Sequence, residues 1–389
     1  MKSRAILLNV LPVFMGFFIM GFCDIVGITS DYVQSHFGWS AAVTGFVPSM
    51  VFVWFLFLGI PVGNLMNRLG RKNTVLISMA ITIVGMMLPL VVYNGAVCMA
   101  SFALLGIGNA VLQVSLNPLL VMMLNDRRLQ ASALTAGQVV KALSSLLGPE
   151  VVMLCVAWFG SERWYYCFPL LGAVTLLSAI WLMATDTGRE DVERHDGSIR
   201  DAFGLLADSV ILKLFAGILF IVALDVAMNF ISSKLMAMRF GWEEADAKYA
   251  PQVYFLCRTL GGFLSAFLLM RIHSVKYFRI NILAAVAALL LLMAVSHAVV
   301  DMAMIGLVGF FCSSVFSIIY SLALNRRPEN ANQISGLMIT AISGGAIATP
   351  LVGIAIEYVG IEAGVGVILL CAAYLGYCAF TSRHNADSC

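Results

Sequence analysis

Charged residues are scarce in this chain: they make up 11% of its 389 residues, whereas 61% are hydrophobic and the mean hydropathy is +0.95. A typical soluble domain contains about 25% charged residues, so most of this surface does not face water. The nine cysteines lack the spacing of a metal site or a redox pair, and the sequence shows no nucleophile motif or clustered His, Cys and carboxylate set. These shortages argue against a soluble or membrane enzyme, and we expect no metal, no cofactor and no nucleic-acid partner.

Long hydrophobic runs are abundant instead. A membrane-spanning helix needs about 20 mostly apolar residues, and twelve such runs lie between charged clusters and turn residues. The predicted spans are 5–29, 41–63, 74–93, 96–122, 131–158, 164–184, 209–237, 249–270, 280–300, 302–324, 333–357 and 360–382. The first run is longer than the apolar core of a signal peptide, about 7–15 residues, so we interpret it as a spanning helix. The fold class predicted is all-α integral membrane with twelve transmembrane helices.

Lys and Arg are distributed unevenly among the loops. Most of the 23 Lys and Arg residues precede the first run or follow an even-numbered one. Because cytoplasmic loops carry the excess of basic residues, this bias predicts cytoplasmic N and C termini in a multi-pass protein of the inner (plasma) membrane. A polar stretch at 185–208 is interpreted as a cytoplasmic linker between an N-terminal six-helix bundle (1–184) and a C-terminal one (209–389). Paired halves of this kind are typical of transporters.

Two ionisable side chains lie deep inside predicted spans, where they are costly and usually functional. Asp24 lies in the outer half of the first run, and Lys141 lies roughly 15 Å along the fifth, close to the membrane midplane. An isolated lysine at this depth needs a counter-charge, an anionic ligand or water. We therefore expect Asp24 or Lys141 to handle substrate or protons.

Other polar side chains share helix faces, because residues four apart lie on one face of a helix. Two alternatives to substrate contact stay open: polar side chains that only hold helices together, and Arg258 as a structural charge. The predicted substrate-binding residues are Gln113, Asn117, Gln138, Lys141, Asp225, Asn229, Tyr254, Arg258 and Tyr320.

A basic loop between the second and third runs carries a family signature. Its sequence is Gly63-Asn-Leu-Met-Asn-Arg-Leu-Gly-Arg-Lys72. It resembles the loop motif of the major facilitator superfamily, with Asn67 in place of the usual aspartate, a change expected to weaken one gating salt bridge. The resemblance implies a major facilitator fold with two six-helix bundles. It also implies a gating loop containing Gly63, Asn67, Arg68, Gly70 and Arg71.

A second set of motifs lies in both halves of the chain: Gly21-Phe-Cys-Asp24, Gly106 to Pro118, Cys257-Arg258-Thr-Leu-Gly-Gly and Ser335 to Ala346. These motifs resemble those of the fucose/glucose/galactose:proton symporter family. In that family an aspartate in helix 1 and a glutamate in helix 4 are implicated in proton and sugar handling. Asp24 matches the aspartate, which implies proton coupling at Asp24, whereas Gln113 stands at the glutamate position and cannot titrate. A sugar-contacting asparagine of helix 5 falls at Lys141.

The sequence therefore predicts a secondary active transporter that takes up a monosaccharide or sugar derivative, driven by protons and alternating access. The expected partners are a small-molecule solute, protons and the lipid bilayer, with the chain acting as a monomer. Lys141 either pairs with Asp24 or binds a substrate carboxylate, and in the second case the substrate is an acidic sugar. The alternatives are an exporter of drugs or metabolites, whose cavity would be more apolar, and a non-transporting nutrient sensor, which usually carries a large soluble extension.

Overall fold

The structure is a computed structural model that describes residues 2–38, 41–124, 126–188, 190, 199–247 and 249–382. Over these residues it is helical, with no strand. The α-helices are α1 (Lys2–Met20), α2 (Val26–Phe37), α3 (Ala41–Leu69), α4 (Arg71–Val91), α5 (Gly95–Met123), α6 (Arg127–Phe159), α7 (Cys167–Ala184), α8 (Ile199–Gly204), α9 (Ser209–Phe240), α10 (Glu244–Ala247), α11 (Tyr249–Leu268), α12 (Ser274–Ala294), α13 (Ala298–Cys312), α14 (Val315–Arg326), α15 (Ala331–Thr340), α16 (Gly345–Tyr358) and α17 (Ile361–Thr381).

Several of these helices continue one another across a local break. A 3₁₀ turn, Gly21–Ile25, joins α1 to α2, and a second, Ala341–Gly344, joins α15 to α16. A turn at residues 313–314 joins α13 to α14. When these pairs are counted as single segments and the short α8 and α10 are set aside, the described residues contain twelve long helical segments. The predicted twelve-helix fold is confirmed.

Several predicted boundaries are wrong by several residues; for example, the helix of the span predicted at 41–63 continues to Leu69. The spans predicted at 280–300 and 302–324 correspond to α12 and to α13 with α14, which begin at Ser274 and Ala298. α12 starts early because the His273 side chain accepts a hydrogen bond from Val275 N–H at 3.3 Å and so begins the helix ahead of its basic residues. The apolar pattern alone placed the start after those charges.

The predicted linker contains structure of its own. The helix α8 and a 3₁₀ turn, Leu205–Ala207, occupy its end, and Ala202 and Leu205 are buried. Arg189 and residues 191–198 lie outside the described residues.

Apolar side chains cover much of the outer surface. Among the described residues, eight helices are long and apolar enough to cross a membrane, including Arg71–Val91 and Ser209–Phe240. Leu176, Leu177 and Ile180 of α7 are all exposed. In water such a surface would promote aggregation, whereas in a bilayer it faces lipid at no such cost.

The contacts divide the chain into two compact units. The first comprises Met1–Asn125, Gly137–Gly204 and Glu329–Thr340, and the second comprises Asp126–Ala136, Leu205–Pro328 and Ala341–Cys389. Each unit takes in a short piece from the other side of the predicted linker: α15 packs in the first unit and the start of α6 in the second. The division of the sequence into halves at 185–208 stays a prediction.

A buried arginine joins four helices of the second unit. Arg239, at the end of α9, contacts Asp301 of α13 at 2.6 Å, Glu362 of α17 at 2.6 Å and the Leu292 carbonyl oxygen of α12 at 2.8 Å. The Arg239 side chain is 6% exposed and that of Asp301 is 0% exposed. A charge buried this deeply is tolerated only because its partners satisfy it.

We predict that Arg239→Met lowers the free energy of unfolding by about 3–5 kcal/mol, because it leaves the Asp301 carboxylate buried without its cation. The unfolding temperature of the purified protein in detergent measures the loss. The double variant Arg239→Met/Asp301→Leu should recover much of it, and Arg128→Met, at an exposed position, serves as the control. An unchanged unfolding temperature in Arg239→Met would contradict a structural role for this cluster.

Asp208 begins α9 just outside the membrane span. Its carboxylate accepts a hydrogen bond from Val210 N–H at 3.0 Å and pairs with Arg326 at 3.1 Å and Arg327 at 3.3 Å. Desolvation acts to raise the pKa of Asp208, but the Val210 hydrogen bond and the two arginines outweigh it and hold that pKa below its usual value. A depressed pKa stabilises the fold above the unfolded-state pKa of about 3.9, and this stabilisation is lost as the pH falls through the folded-state pKa.

Asp208→Asn should therefore lower the unfolding temperature at neutral pH and have progressively less effect as the pH is lowered below about 4. Thermal unfolding of wild type and variant across this pH range tests the expectation. A difference that stays constant over the whole range would show that the charge of Asp208 is not what stabilises the start of α9.

Candidate functional site

The 3₁₀ turn Gly21–Ile25 is packed tightly against α6. A Cβ atom built on Gly21 would lie 2.5 Å from the Lys141 carbonyl oxygen and 2.7 Å from the Ser144 Cβ, so only glycine allows this approach. Gly148 of α6 lies in the same way against Ile25, since a Cβ there would meet the Ile25 Cγ2 at 2.5 Å. Tightening of a long helix into a 3₁₀ turn often marks a functional segment.

This packing presents Asp24 to α6. The Ser145 hydroxyl donates a hydrogen bond to Asp24 Oδ2 at 2.5 Å, and the Ser145 oxygen lies 3.0 Å from the Lys141 carbonyl oxygen. Asp24 is exposed and Lys141 is half-buried. Between these two described side chains there is no ion pair, so the predicted alternative of direct pairing is not realised in this structure. Ser145 is the residue that links the carboxylate to the helix of Lys141.

The predicted polar face of α5 is buried. Gln113 and Asn117 are 6% and 1% exposed, and the Asn117 amide donates to the Gln113 carbonyl oxygen at 3.0 Å. Asn109, one turn before Gln113 on the same helix face, is 5% exposed. The side-chain oxygens of Asn109, Asn117 and Ser144 are buried and have no hydrogen-bond partner in the structure. Buried polar atoms normally have partners, and water or a ligand hydroxyl is the kind that would complete this set.

A second polar cluster lies in the second unit. Asp225 of α9 pairs with Arg258 of α11, with Asp225 Oδ1 2.8 Å from Arg258 Nε. The same Oδ1 accepts a hydrogen bond from the Tyr254 hydroxyl at 2.6 Å. Tyr254 and Arg258 are four residues apart on one helix face, and Tyr254 is fully buried. The structure therefore brings together three of the predicted substrate-binding residues, and the charge of Arg258 is paired with a carboxylate.

The remaining predicted binding residues differ in accessibility. Gln138 is half-buried and Asn229 is exposed, one turn beyond Asp225. Tyr320 is fully buried and stacks on Phe316 with ring centroids 5.8 Å apart, so its ring face is not open to a solute in this structure.

The basic loop forms a network of hydrogen bonds inside the first unit. Gly70, with φ +82°, is the only residue between α3 and α4, and this left-handed conformation favours glycine. Asn332 of α15 donates to Asn67 Oδ1 at 2.7 Å and accepts from Arg71 Nε at 2.7 Å. A Cβ on Gly63 would lie 2.7 Å from the Asn332 carbonyl oxygen. Asn67 thus makes an amide–amide hydrogen bond where the family motif has an aspartate. Arg68, the remaining predicted residue of the loop, is exposed.

Three residues of these networks were not predicted as site residues. Glu190, in the linker, accepts hydrogen bonds from the backbone N–H groups of Arg71 at 2.6 Å and Lys72 at 3.2 Å, where it offsets the positive end of the α4 dipole. Asn332 and Ser145 are the other two. Their side chains are ordinary polar residues in sequence, and only the contacts between distant segments reveal them.

Residues 12–350 match the family model of the Major Facilitator Superfamily. The chain belongs to this superfamily. It is a multi-pass membrane transporter and not an enzyme.

Relatives within the superfamily match over nearly their full length. A glucose/galactose transporter of Brucella abortus (strain 2308) is 24% identical over 379 residues, which cover 93% of this chain and 90% of the relative. A putative glucose/galactose transporter of Helicobacter pylori is 22% identical over 396 residues, 96% of each chain.

Solved structures share the fold. The transporter FucP in an outward conformation superposes with a TM-score of 0.84 at 18% identity, covering 98% of this chain and 100% of FucP. A second FucP structure is described as the E. coli fucose:proton symporter. The proton:xylose symporter XylE gives a TM-score of 0.70 at 13% identity, covering 97% and 95%. The predicted major facilitator fold is confirmed.

We predict that Gly21→Val lowers the free energy of unfolding by about 1–3 kcal/mol, because its side chain would force the 3₁₀ turn away from α6. The matched control is Gly353→Val in α16, where an added Cβ meets nothing within 4 Å. Unfolding temperatures of the two purified variants test the difference. Equal effects of the two substitutions would mean that the approach of Gly21 to α6 is not tightly constrained.

Proposed function

We propose that this superfamily member is a proton-coupled symporter that takes up a monosaccharide by alternating access. The single observation that carries the proposal is the placement of Asp24. Its carboxylate is accessible, lies in a 3₁₀ turn of the first helical segment and accepts a hydrogen bond from Ser145, which is one turn along α6 from Lys141. Two observations on related proteins support this proposal. The relatives named glucose/galactose transporters support a sugar as the substrate, and the structural neighbours titled fucose:proton and proton:xylose symporters support a proton as the coupling ion.

Proton coupling follows from the cost of moving a charge through a closed, low-dielectric cavity. A charged side chain at the bilayer centre costs about 2.5–3.5 kcal/mol on insertion scales, and protonation removes that charge from Asp24. The conformational change is then favoured with a proton on Asp24 and disfavoured without one, which links proton and substrate movement. Gln113 cannot take the proton, so the coupling role falls to Asp24.

Within the first unit, substrate recognition is assigned to polar side chains of α5 and α6. The partly unsatisfied face of α5, with Gln113 and Asn117, and the half-buried Gln138 supply donors and acceptors for sugar hydroxyls. Lys141 is a donor near Asp24, and Asn229 is accessible beside the Asp225 cluster. Tyr320 could stack on a sugar only in a conformation in which the Phe316 ring moves away from it.

The remaining parts of the proposal concern the membrane. We assign the protein to the inner membrane with both termini in the cytoplasm, because basic residues are concentrated on that side. On this assignment the loop containing Gly63, Asn67, Arg68, Gly70 and Arg71 is a cytoplasmic gating element, and the chain works as a monomer in the bilayer.

We predict that Asp24→Asn abolishes uphill accumulation of sugar while leaving counterflow exchange measurable, because the variant binds substrate but cannot carry the proton. Proteoliposomes containing the purified protein, with labelled D-galactose and D-glucose and an imposed pH gradient, measure both activities. Asp186→Asn, in the loop after α7, removes a carboxylate outside the site and should behave as wild type. Wild-type accumulation by Asp24→Asn would remove Asp24 from the mechanism, and absence of sugar transport by the wild type would contradict the proposed function.

A further inference from the structure

The Asp225, Tyr254 and Arg258 cluster is held rigidly. Tyr254 is fully buried, and α13 packs so closely on it that a Cβ at Gly309 would lie 2.5 Å from the Tyr254 carbonyl oxygen and 3.0 Å from its ring. The buried Tyr254 hydroxyl donates a hydrogen bond to Asp225 Oδ1 at 2.6 Å. The same Oδ1 lies 2.8 Å from Arg258 Nε. A site held in this way can discriminate between ligands, because its groups do not reorganise when a ligand binds.

The same cluster remains accessible. The side chains of Arg258 and Asp225 are 33% and 23% exposed, although Asp225 lies at the middle of the 32-residue helix α9. On α11, Leu256 and Leu260 are exposed on a different face from Tyr254 and Arg258. Because a lipid-exposed charge pair at this depth is very costly, the open side of the pair is expected to face water and not lipid.

The buried Arg239 cluster shows what a structural ion pair looks like in this unit. Arg239 is 6% exposed and is satisfied by Asp301, Glu362 and a backbone carbonyl. For Arg258, Asp225 is the only acceptor among the described residues, although the guanidinium carries five N–H donors. Arg258 therefore retains hydrogen-bonding capacity that a purely structural arginine would have used.

The net charge of the Asp225–Arg258 pair determines which ligands can use the free N–H donors of Arg258. Asp225 cancels the charge of Arg258, and both of its contacts fall on Oδ1. The pair therefore offers guanidinium donors next to a carboxylate acceptor, with no net charge. Adjacent hydroxyl groups of a neutral sugar can both donate and accept hydrogen bonds, so they can bind the guanidinium donors and the carboxylate acceptor together. A ligand carboxylate would gain from Arg258 but would be repelled by the neighbouring Asp225, and like-charge contacts are strongly unfavourable.

We propose that Asp225 sets the charge selectivity of the transporter: by neutralising Arg258 it makes the pair a binding site for adjacent hydroxyls of a neutral sugar and rejects acidic sugars. This inference rests on the proposed function and deepens it, because it specifies the substrate class at a site in the second unit. Tyr254 acts as a positioning residue that holds the carboxylate.

The test compares two sugars that differ at one carbon. D-galactose has a hydroxymethyl group where D-galacturonate has a carboxylate, which is charged at neutral pH. Binding of each to the purified full-length protein is measured by titration calorimetry. We expect the wild type to prefer galactose by about tenfold or more. Asp225→Asn keeps an oxygen acceptor for Tyr254 but leaves Arg258 charged, so it should shift the affinity ratio toward galacturonate by about tenfold or more.

Asp246→Asn, which removes an exposed carboxylate from α10 of the same unit, should keep the wild-type ratio. The double variant Asp225→Asn/Arg258→Gln removes both charges together and should bind the two sugars within about threefold of each other. If Asp225→Asn does not fold, the double variant alone decides the matter, because retention of the wild-type preference in it would overturn the proposal.

Other results would also overturn it. A ratio within about threefold of wild type in Asp225→Asn, or a wild type that prefers galacturonate, contradicts the role of Asp225 but leaves a sugar symporter in place. If the preference for galactose over galacturonate were lost in Lys141→Gln but kept in Asp225→Asn/Arg258→Gln, charge selectivity would be assigned to the first unit instead. Failure of the wild type to bind either sugar would count against the proposed function as well.

Discussion

The close approach of Gly21 to α6 is the contact on which the candidate site depends. A membrane-spanning helix must satisfy its backbone hydrogen bonds internally, so a local break in mid-span is made by tightening the helix and not by opening a loop. The 3₁₀ turn Gly21–Ile25 does this, and the absence of a side chain at Gly21 lets it rest on the Lys141 carbonyl. Asp24 owes both its exposure and its Ser145 hydrogen bond to that turn.

Charged side chains inside the helical segments differ in how completely they are paired. In the second unit, Arg239 is surrounded by acceptors and holds four helices together, whereas Arg258 has one carboxylate partner and remains a third exposed. In the first unit, Asp24 has a hydroxyl partner, and Lys141 does not pair with it. A transporter needs both kinds of residue: fully paired charges that keep each helical bundle intact, and incompletely satisfied polar groups that bind a solute and then release it.

Much of the fold could be predicted from the sequence, because hydrophobic length and loop charge follow directly from the physics of the bilayer. The position of Asp24 within a long apolar helix was visible for the same reason. The Asp225–Arg258 pair was not, because the two residues lie on different helices and their distance depends on how α9 packs against α11. The start of α12 was missed because a polar cap at His273, and not hydrophobicity, begins that helix. Glu190 and Asn332 were missed because single polar residues carry no periodic signal.

The Asn67–Asn332 contact has a consequence for how the protein responds to its medium. An ion pair at a solvent-accessible surface weakens as dissolved salt screens its charges, with a screening length of about 8 Å at physiological ionic strength. Two carboxamides carry no charge to screen, and the strength of their 2.7 Å hydrogen bond depends on geometry and hydration. Replacing the motif's aspartate with asparagine thus makes this attachment of α15 to α3 less sensitive to ionic strength than a charged contact would be.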